Sequence, residues 1–188
     1  MYHSENASRA DNQQERLITI GWIVGFVDGE GCFSVGLVKQ RDRQEKDRIR
    51  RGYKTGYQAF CEFAVTQGEK SLPSLKALEK FFGVGKVYIN KRYDNHKEHM
   101  YRYCVRKRED LIRVIIPFFK QYPLRTAKKD DFEKFATCAS MMERHEHLSN
   151  EGMIKIATIV SSMNRKKSRE DVIRILRCHT PTPQLTLG

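Results

Sequence analysis

The apolar residues of this chain follow two periods, and the places where one gives way to the other outline its elements. The run Ile20-Gly-Trp-Ile-Val-Gly-Phe-Val-Asp-Gly-Glu-Gly31 is apolar and glycine-spaced, and closes a helix predicted over about residues 14 to 29. The period then drops to two. Phe33, Val35 and Leu37 alternate with Ser34, Gly36 and Val38, giving a strand over about 31 to 40. A second strand over about 56 to 67 sets Cys61, Phe63, Val65 and Gln67 on one face, with Phe60, Glu62, Ala64 and Thr66 on the other. Helical spacing returns with Leu72, Leu75, Leu78, Phe81 and Phe82, ends at Gly83, and tolerates Pro73 in the first turn because no partner for its missing N–H is needed there.

Two more strands follow, over about 85 to 92 and 99 to 107. Val87 and Ile89 alternate with Lys86, Tyr88 and Asn90 in the first, and Tyr101, Tyr103 and Val105 alternate with Arg102, Cys104 and Arg106 in the second. Leu111, Ile112, Ile115 and Ile116 predict a helix ending near Pro117, and apolar stripes at Phe132 to Met142, Ile154 to Val160 and Val172 to Leu176 predict three more. The order is α-β-β-α-β-β-α with further C-terminal helices, an α+β fold with apolar strand faces against helices and polar faces outward. Residues 1 to 13 lack periodicity and 179 to 188 carry two prolines, so both ends are expected to be flexible around one domain over 14–178.

Length and composition agree with one domain: 188 residues with 39% hydrophobic content sustain a core. No apolar run reaches the length of a membrane span and no secretory leader is evident, so a soluble intracellular protein is expected. Five scattered cysteines without a CxxC pair fit reduced thiols better than disulfides or structural zinc. The histidine pairs His96/His99 and His145/His147 lack zincin spacing, and neither a phosphate-binding glycine loop nor a Gly-x-Ser-x-Gly elbow occurs.

Charge is more informative. A net +12 points to a polyanion as partner, because lysines and arginines gain free energy by displacing its counterions. Residues 39 to 54, the turn between the first two strands, hold Lys39, Arg41, Arg43, Lys46, Arg48, Arg50, Arg51 and Lys54. The segment 86 to 108 holds Lys86, Lys91, Arg92, Lys97, Arg102, Arg106, Lys107 and Arg108, interleaved with tyrosines. A two-stranded ribbon fits a DNA major groove, where arginines read base edges and lysines meet phosphates. A merely solvated face is the plainer alternative, and the clustering of charge on two hairpins favours DNA.

The first helix ends in two acids, Asp28 and Glu30, where the macrodipole already places partial negative charge, so something positive must offset them. A divalent cation is one candidate. Gly21 and Gly25 share a face near Ile18, Val24 and Asp28, and permit close approach by another helix. If that helix belongs to a second copy related by a two-fold axis, both pairs of acids converge. Spacing alone leaves open a simpler reading, in which Gly29 and Gly31 turn a core helix into a strand and the acids are solvated.

Trp22-Ile-Val-Gly-Phe-Val-Asp-Gly-Glu-Gly31, continuing into Cys-Phe-Ser-Val35, resembles the LAGLIDADG motif of homing endonucleases, and the element order resembles that family's core over about residues 15 to 178. Phe63-Ala-Val-Thr-Gln67 resembles the end of the family's second strand, and Lys128-Lys-Asp-Asp-Phe132 the segment bearing its active-site lysine, with Lys120 and Lys129 as alternatives to Lys128. Ser149-Asn-Glu-Gly-Met-Ile-Lys-Ile156 resembles a helix start of the family. One copy of the motif is present, and single-motif members act as homodimers on nearly palindromic duplexes.

The resemblance implies metal-assisted hydrolysis of DNA phosphodiesters. Glu30 is the expected Mg²⁺ ligand, with Mn²⁺ able to substitute, and the Gly29 carbonyl and Asp28 are further members of the metal site. Gln67 would position water, and Lys128 would face the phosphate. Cuts on both strands across the minor groove with short 3′ overhangs are implied, as is an intron-borne gene in a bacterial cytoplasm or an organelle. Two other readings use the same scaffold: an RNA-binding intron maturase and a non-catalytic DNA-binding regulator. Retention of Asp28, Glu30, Gln67 and Lys128 favours the nuclease, since a pure binder has no use for them.

Overall fold

The computed structural model describes residues 3–40, 43–50, 52–91, 99–163 and 170–178. Helix α1 spans His3–Glu30, and strand β1, Gly31–Lys39, follows directly. A short hairpin, β2 (Arg43–Glu45) with β3 (Arg48–Arg50), precedes the long strand β4, Tyr57–Gly68. Then come α2 (Leu72–Phe82), β5 (Lys86–Asn90), β6 (Met100–Val105), α3 (Arg108–Asp110), a π-turn over Leu111–Ile115, and α4 (Ile116–Gln121). Helices α5 (Lys128–Glu143), α6 (Asn150–Ser161) and α7 (Glu170–Cys178) complete the order. Four strands form one sheet in the order β1-β4-β6-β5, the β4/β6 and β5/β6 pairs antiparallel, so the expected α+β core is present with its C-terminal helices.

Three elements differ from the sequence expectation, each for a physical reason. Helix α1 begins at His3 rather than near residue 14, and residues 3–13 hold no glycine or proline that would interrupt it. The helix expected to stop near Pro117 continues to Gln121. Pro117 falls in the first turn after the π-turn, where the helical hydrogen-bond pattern changes register. The basic turn between β1 and β4 contains a hairpin of its own, pairing Arg43 with Arg50 and Gln44 with Ile49.

Contacts divide the chain into two units. One gathers Met1–Cys32 and Phe63–Lys129. Its core is Phe63, fully buried, with the rings of Phe119, Tyr103 and Phe82 at 5.7, 6.1 and 6.2 Å. Burying one such side chain stabilises by about 1.5–3 kcal/mol. The Tyr103 hydroxyl donates to the Val84 carbonyl at 2.7 Å, which satisfies the polar end of a ring otherwise sealed in the core. Burial also pushes the Tyr103 phenol well above its ordinary pKa, ahead of the nearby charges of Glu79, Cys104 and Asp110. Ile20, Ile23 and Val27 are the buried side of α1, and Leu75, Leu78 and Phe82 that of α2. Helix α2 closes with Gly83 in the left-handed region at φ 65°, as a C-cap glycine should.

The other unit gathers Phe33–Glu62 and Asp130–Gly188. Phe33 packs on Phe132 and Phe135 at 5.1 and 5.4 Å, and α5 buries Cys138, Ala139, Met141 and Met142 as well. Ser149 caps α6 by accepting the Gly152 N–H at 3.0 Å. Among the described residues, Cys32, Cys61, Cys104 and Cys138 form no disulfide, and burial raises Cys138 to about 12, so it is inert at neutral pH. No described helix is long and apolar enough to cross a membrane.

Candidate active site

The end of α1 is built around its two acids, which have opposite environments. Asp28 is buried, 8% exposed. Its carboxylate accepts the Arg125 N–H at 2.8 Å, the Thr126 N–H at 3.1 Å on the same oxygen, and the Thr126 hydroxyl at 2.7 Å on the other. Burial acts to raise the pKa of Asp28, but the Thr126 hydroxyl, the Arg125 and Thr126 amides and the Lys128 charge outweigh it and hold the carboxyl below its ordinary value. Asp28 therefore serves as an acceptor for the backbone just ahead of α5. It does not lie on the open glycine face, as expected for a dimer contact.

Glu30 is exposed and makes no hydrogen bond or ion pair to any described residue. Directly before it, the Gly29 carbonyl accepts from Lys128 Nζ at 3.0 Å, and so does the Val27 carbonyl. The positive charge that the helix end requires is thus a lysine side chain from the start of α5. Gly31 is needed for the turn into β1, because a Cβ there would stand 2.7 Å from the Val27 carbonyl oxygen. This fixes where the helix stops, and with it where Glu30 emerges.

The structure therefore brings Asp28, Gly29 and Lys128 together beside Glu30. Lys128 fills this position, whereas Lys120 and Lys129 are exposed. Gln67 lies near the end of β4 opposite Tyr101, on the strand face of Phe63 and Val65, with no hydrogen bond to Glu30 or Lys128. Thr126 and Arg125 went unnoticed in the sequence. The one available signal was a threonine two residues before a helix whose first turn carries Asp130 and Asp131, a pattern of N-terminal capping.

The oxygen donors at this helix end, a free carboxylate and a peptide carbonyl, suit a hard divalent cation. Among the described residues no three histidines, cysteines or acids of the chain converge on one point, so a single chain offers a partial site. Mg²⁺ commonly takes one or two carboxylates plus water and phosphate oxygens, which such a partial site fits.

The remaining face of α1 is open. Ile18 is 63% exposed, Gly21 and Gly25 are exposed, and a Cβ added at Gly21, Gly25 or Gly29 would meet nothing within 4 Å. Leu17 and Trp22 are also exposed, and Val24 is half-buried. Of the basic residues, Lys39, Lys54, Lys86, Lys91 and Arg106 are exposed. Arg43, Arg48 and Arg50 sit on the β2–β3 hairpin. Arg102 lies on β6 in one row with Thr66 and Tyr88, and Lys86 two rows along with Ala64 and Cys104. Arg41, Arg51, Arg92 and the tail 179–188 lie outside the described residues.

At this helix end one acid is held inward and the other is exposed, and the helix leads straight into the first strand of a four-stranded sheet. The family model described as LAGLIDADG endonuclease matches residues 23–139, and the chain belongs to that family. It is 31% identical over 149 residues to the probable intron-encoded endonuclease 2 of Neurospora crassa, covering 79% of this chain and 28% of that protein. To the homing endonuclease I-ApeII of Aeropyrum pernix it is 26% identical over 167 residues, 84% of this chain and 90% of that one. Among solved structures it resembles the homing endonuclease I-TnaI with a TM-score of 0.67 and 41% identity, over 85% of this chain and 97% of that chain. It resembles I-SmaMI bound to uncleaved DNA in the presence of calcium ions with a TM-score of 0.66 and 32% identity, over 88% and 52%. The chain spans about a quarter of the length of several fungal relatives that it matches.

Proposed function

We propose that this chain is a site-specific DNA endonuclease that hydrolyses phosphodiesters with a divalent metal, as a homodimer on a long, nearly palindromic duplex. The observation that carries the reading is Glu30, a carboxylate with no partner among the described residues, at a helix end whose other charge requirements are met within the chain. Glu30 and the Gly29 carbonyl would hold Mg²⁺, or Mn²⁺ in its place. When bound, the metal supplies Lewis acidity toward the phosphate and an acidified water. Asp28 is engaged with residues 125 and 126, and is assigned to orienting the helix end rather than to the metal.

Lys128 places an ammonium beside Glu30, where it can offset charge developing on the phosphate. Gln67 is assigned to ordering water. Lys39, Arg43, Arg48, Arg50 and Lys54 on one hairpin, and Lys86, Lys91, Arg102 and Arg106 on the other, are assigned to DNA; Arg41, Arg51 and Arg92 belong to the same basic runs. The homodimer is supported by the open face of Ile18, Gly21 and Gly25, and by the match of this chain to about half of I-SmaMI. A second copy would bring a second Glu30 to complete the partial metal site.

The test is cleavage selection from a plasmid library carrying a randomised insert, in Mg²⁺. Recovery of plasmids linearised at one recurring, nearly palindromic sequence is expected. A library left intact, or cut without a recurring sequence, overturns the reading.

A further inference from the structure

Asp28 belongs to α1 but satisfies N–H groups at the start of α5, while Lys128 belongs to α5 but satisfies carbonyls at the end of α1. Each helix end supplies the charge the other needs. One residue joins the two halves of this exchange. The Thr126 hydroxyl donates its proton to Asp28 at 2.7 Å and accepts the Lys128 N–H at 3.2 Å, so its donor is used in one direction and its lone pair in the other. The Thr126 carbonyl also accepts the Lys129 N–H at 3.0 Å, which starts α5.

We infer that Thr126 is the positioning residue of the active site: it sets the root of Lys128 so that the ammonium stands over the Gly29 carbonyl, next to Glu30. The inference rests on the endonuclease reading for its effect on rate, though not for its effect on Lys128. A lysine head on a flexible four-carbon stem has many rotamers open to it and holds one place only when anchored. Here the head is held by the Val27 and Gly29 carbonyls, and the root by the Thr126 hydroxyl, itself fixed by a charge-assisted bond to Asp28. Valine at 126 keeps the branched shape but can neither donate to Asp28 nor accept from Lys128. Serine keeps both bonds.

Two measurements on the full chain decide it. In the first, wild type, Thr126→Val and Thr126→Ser are labelled with limiting acetic anhydride, and modification of Lys128 is compared with that of its exposed neighbour Lys129 by mass spectrometry. The Lys128-to-Lys129 ratio is expected to rise severalfold in Thr126→Val and to stay at the wild-type value in Thr126→Ser; an unchanged ratio in Thr126→Val overturns the inference whatever the activity. In the second, single-turnover cleavage of the site recovered from the randomised library is expected to slow about 10- to 100-fold in Thr126→Val with DNA affinity unchanged, and to recover in Thr126→Ser. Equal losses of rate and affinity, or a lower melting temperature at wild-type rate, reduce Thr126 to a structural staple and overturn it. A wild type that cuts nothing refutes the endonuclease reading alone, since the acetylation ratio still reports on Lys128.

Discussion

The two sides of the last turns of α1 differ in kind. On the inner side every charge has a partner from the same chain: Asp28 has the amides of 125 and 126 and the Thr126 hydroxyl, and the carbonyls of Val27 and Gly29 have Lys128. On the outer side Glu30 has no partner among the described residues, and Gly21 and Gly25 front open space. The inner side is finished by folding, and the outer side is left for something else to finish. A helix end made only for stability would have no reason to leave a carboxylate unpaired beside its own negative dipole. Under the function proposed above, the metal and the second copy belong to the outer side and the geometry to the inner.

The largest effect that separates the two sides is on cleavage. Glu30→Gln removes the unpaired charge and no internal contact, so the melting temperature is expected to stay within about a degree, the usual size of a surface substitution. Single-turnover cleavage of the selected site at saturating Mg²⁺ is expected to fall about a thousandfold, the equivalent of about 4 kcal/mol of lost transition-state stabilisation. Undiminished cleavage by this variant would falsify the assignment of the outer side. Next in size is Lys128→Met, which keeps the stem and deletes the charge. Its rate is expected to fall about a hundredfold, with a measurable loss of stability because the Val27 and Gly29 carbonyls lose their donor. A Lys128→Met enzyme with full activity and lowered stability makes the lysine a helix cap alone.

Asp28→Asn comes third and acts on the inner side. Hydrogen bonds to a charged acceptor contribute about 1.5–3 kcal/mol, so a loss of about 2–3 kcal/mol is expected in urea denaturation near neutral pH. The folded carboxyl is held below its ordinary value, so between the two values the unfolded chain binds more protons than the folded one. Stability from Asp28 is complete above the ordinary aspartate value of about 3.9, and is lost as pH falls through the lower folded value. The gap between wild type and Asp28→Asn should therefore be constant near neutrality and close in acid. A gap that widens below about pH 4 means the pairing of Asp28 is misassigned.

These assignments also show what a sequence discloses. Glu30, Gly29 and Gly31 are legible because the motif is local: a glycine-spaced helix, two acids and a turn lie within a dozen residues, and the alternation of Phe33 and Val35 follows at once. The fate of Asp28 was not legible. Its partners lie 97 and 98 positions away, in a loop with no periodicity. At 100° per residue Asp28 sits only about 60° around the helix from Gly25, so phase alone groups it with the glycine face. Burial separates them, and burial is decided by tertiary packing. The same holds for Pro117, whose place just after a π-turn depends on how Leu111 and Ile115 are buried.

The smallest effect is the most discriminating for the outer side, because its sign differs between one chain and two. Glycine in a helix costs about 0.8–1.0 kcal/mol relative to alanine, and at Gly25 nothing in the chain needs the space: a Cβ there meets no atom within 4 Å. Gly25→Ala should therefore stabilise the isolated chain by up to about 1 kcal/mol, seen as a higher melting temperature at a protein concentration low enough to hold it monomeric. If two α1 helices pack through Gly21 and Gly25, the same methyl groups meet across the two-fold axis, and the dimer dissociates at higher concentration in analytical ultracentrifugation. Gly25→Leu should exaggerate the second effect without reversing the first. A variant with a higher melting temperature and an unchanged dimer would leave the glycine face without a partner, and the second Glu30 would have to be sought on another surface.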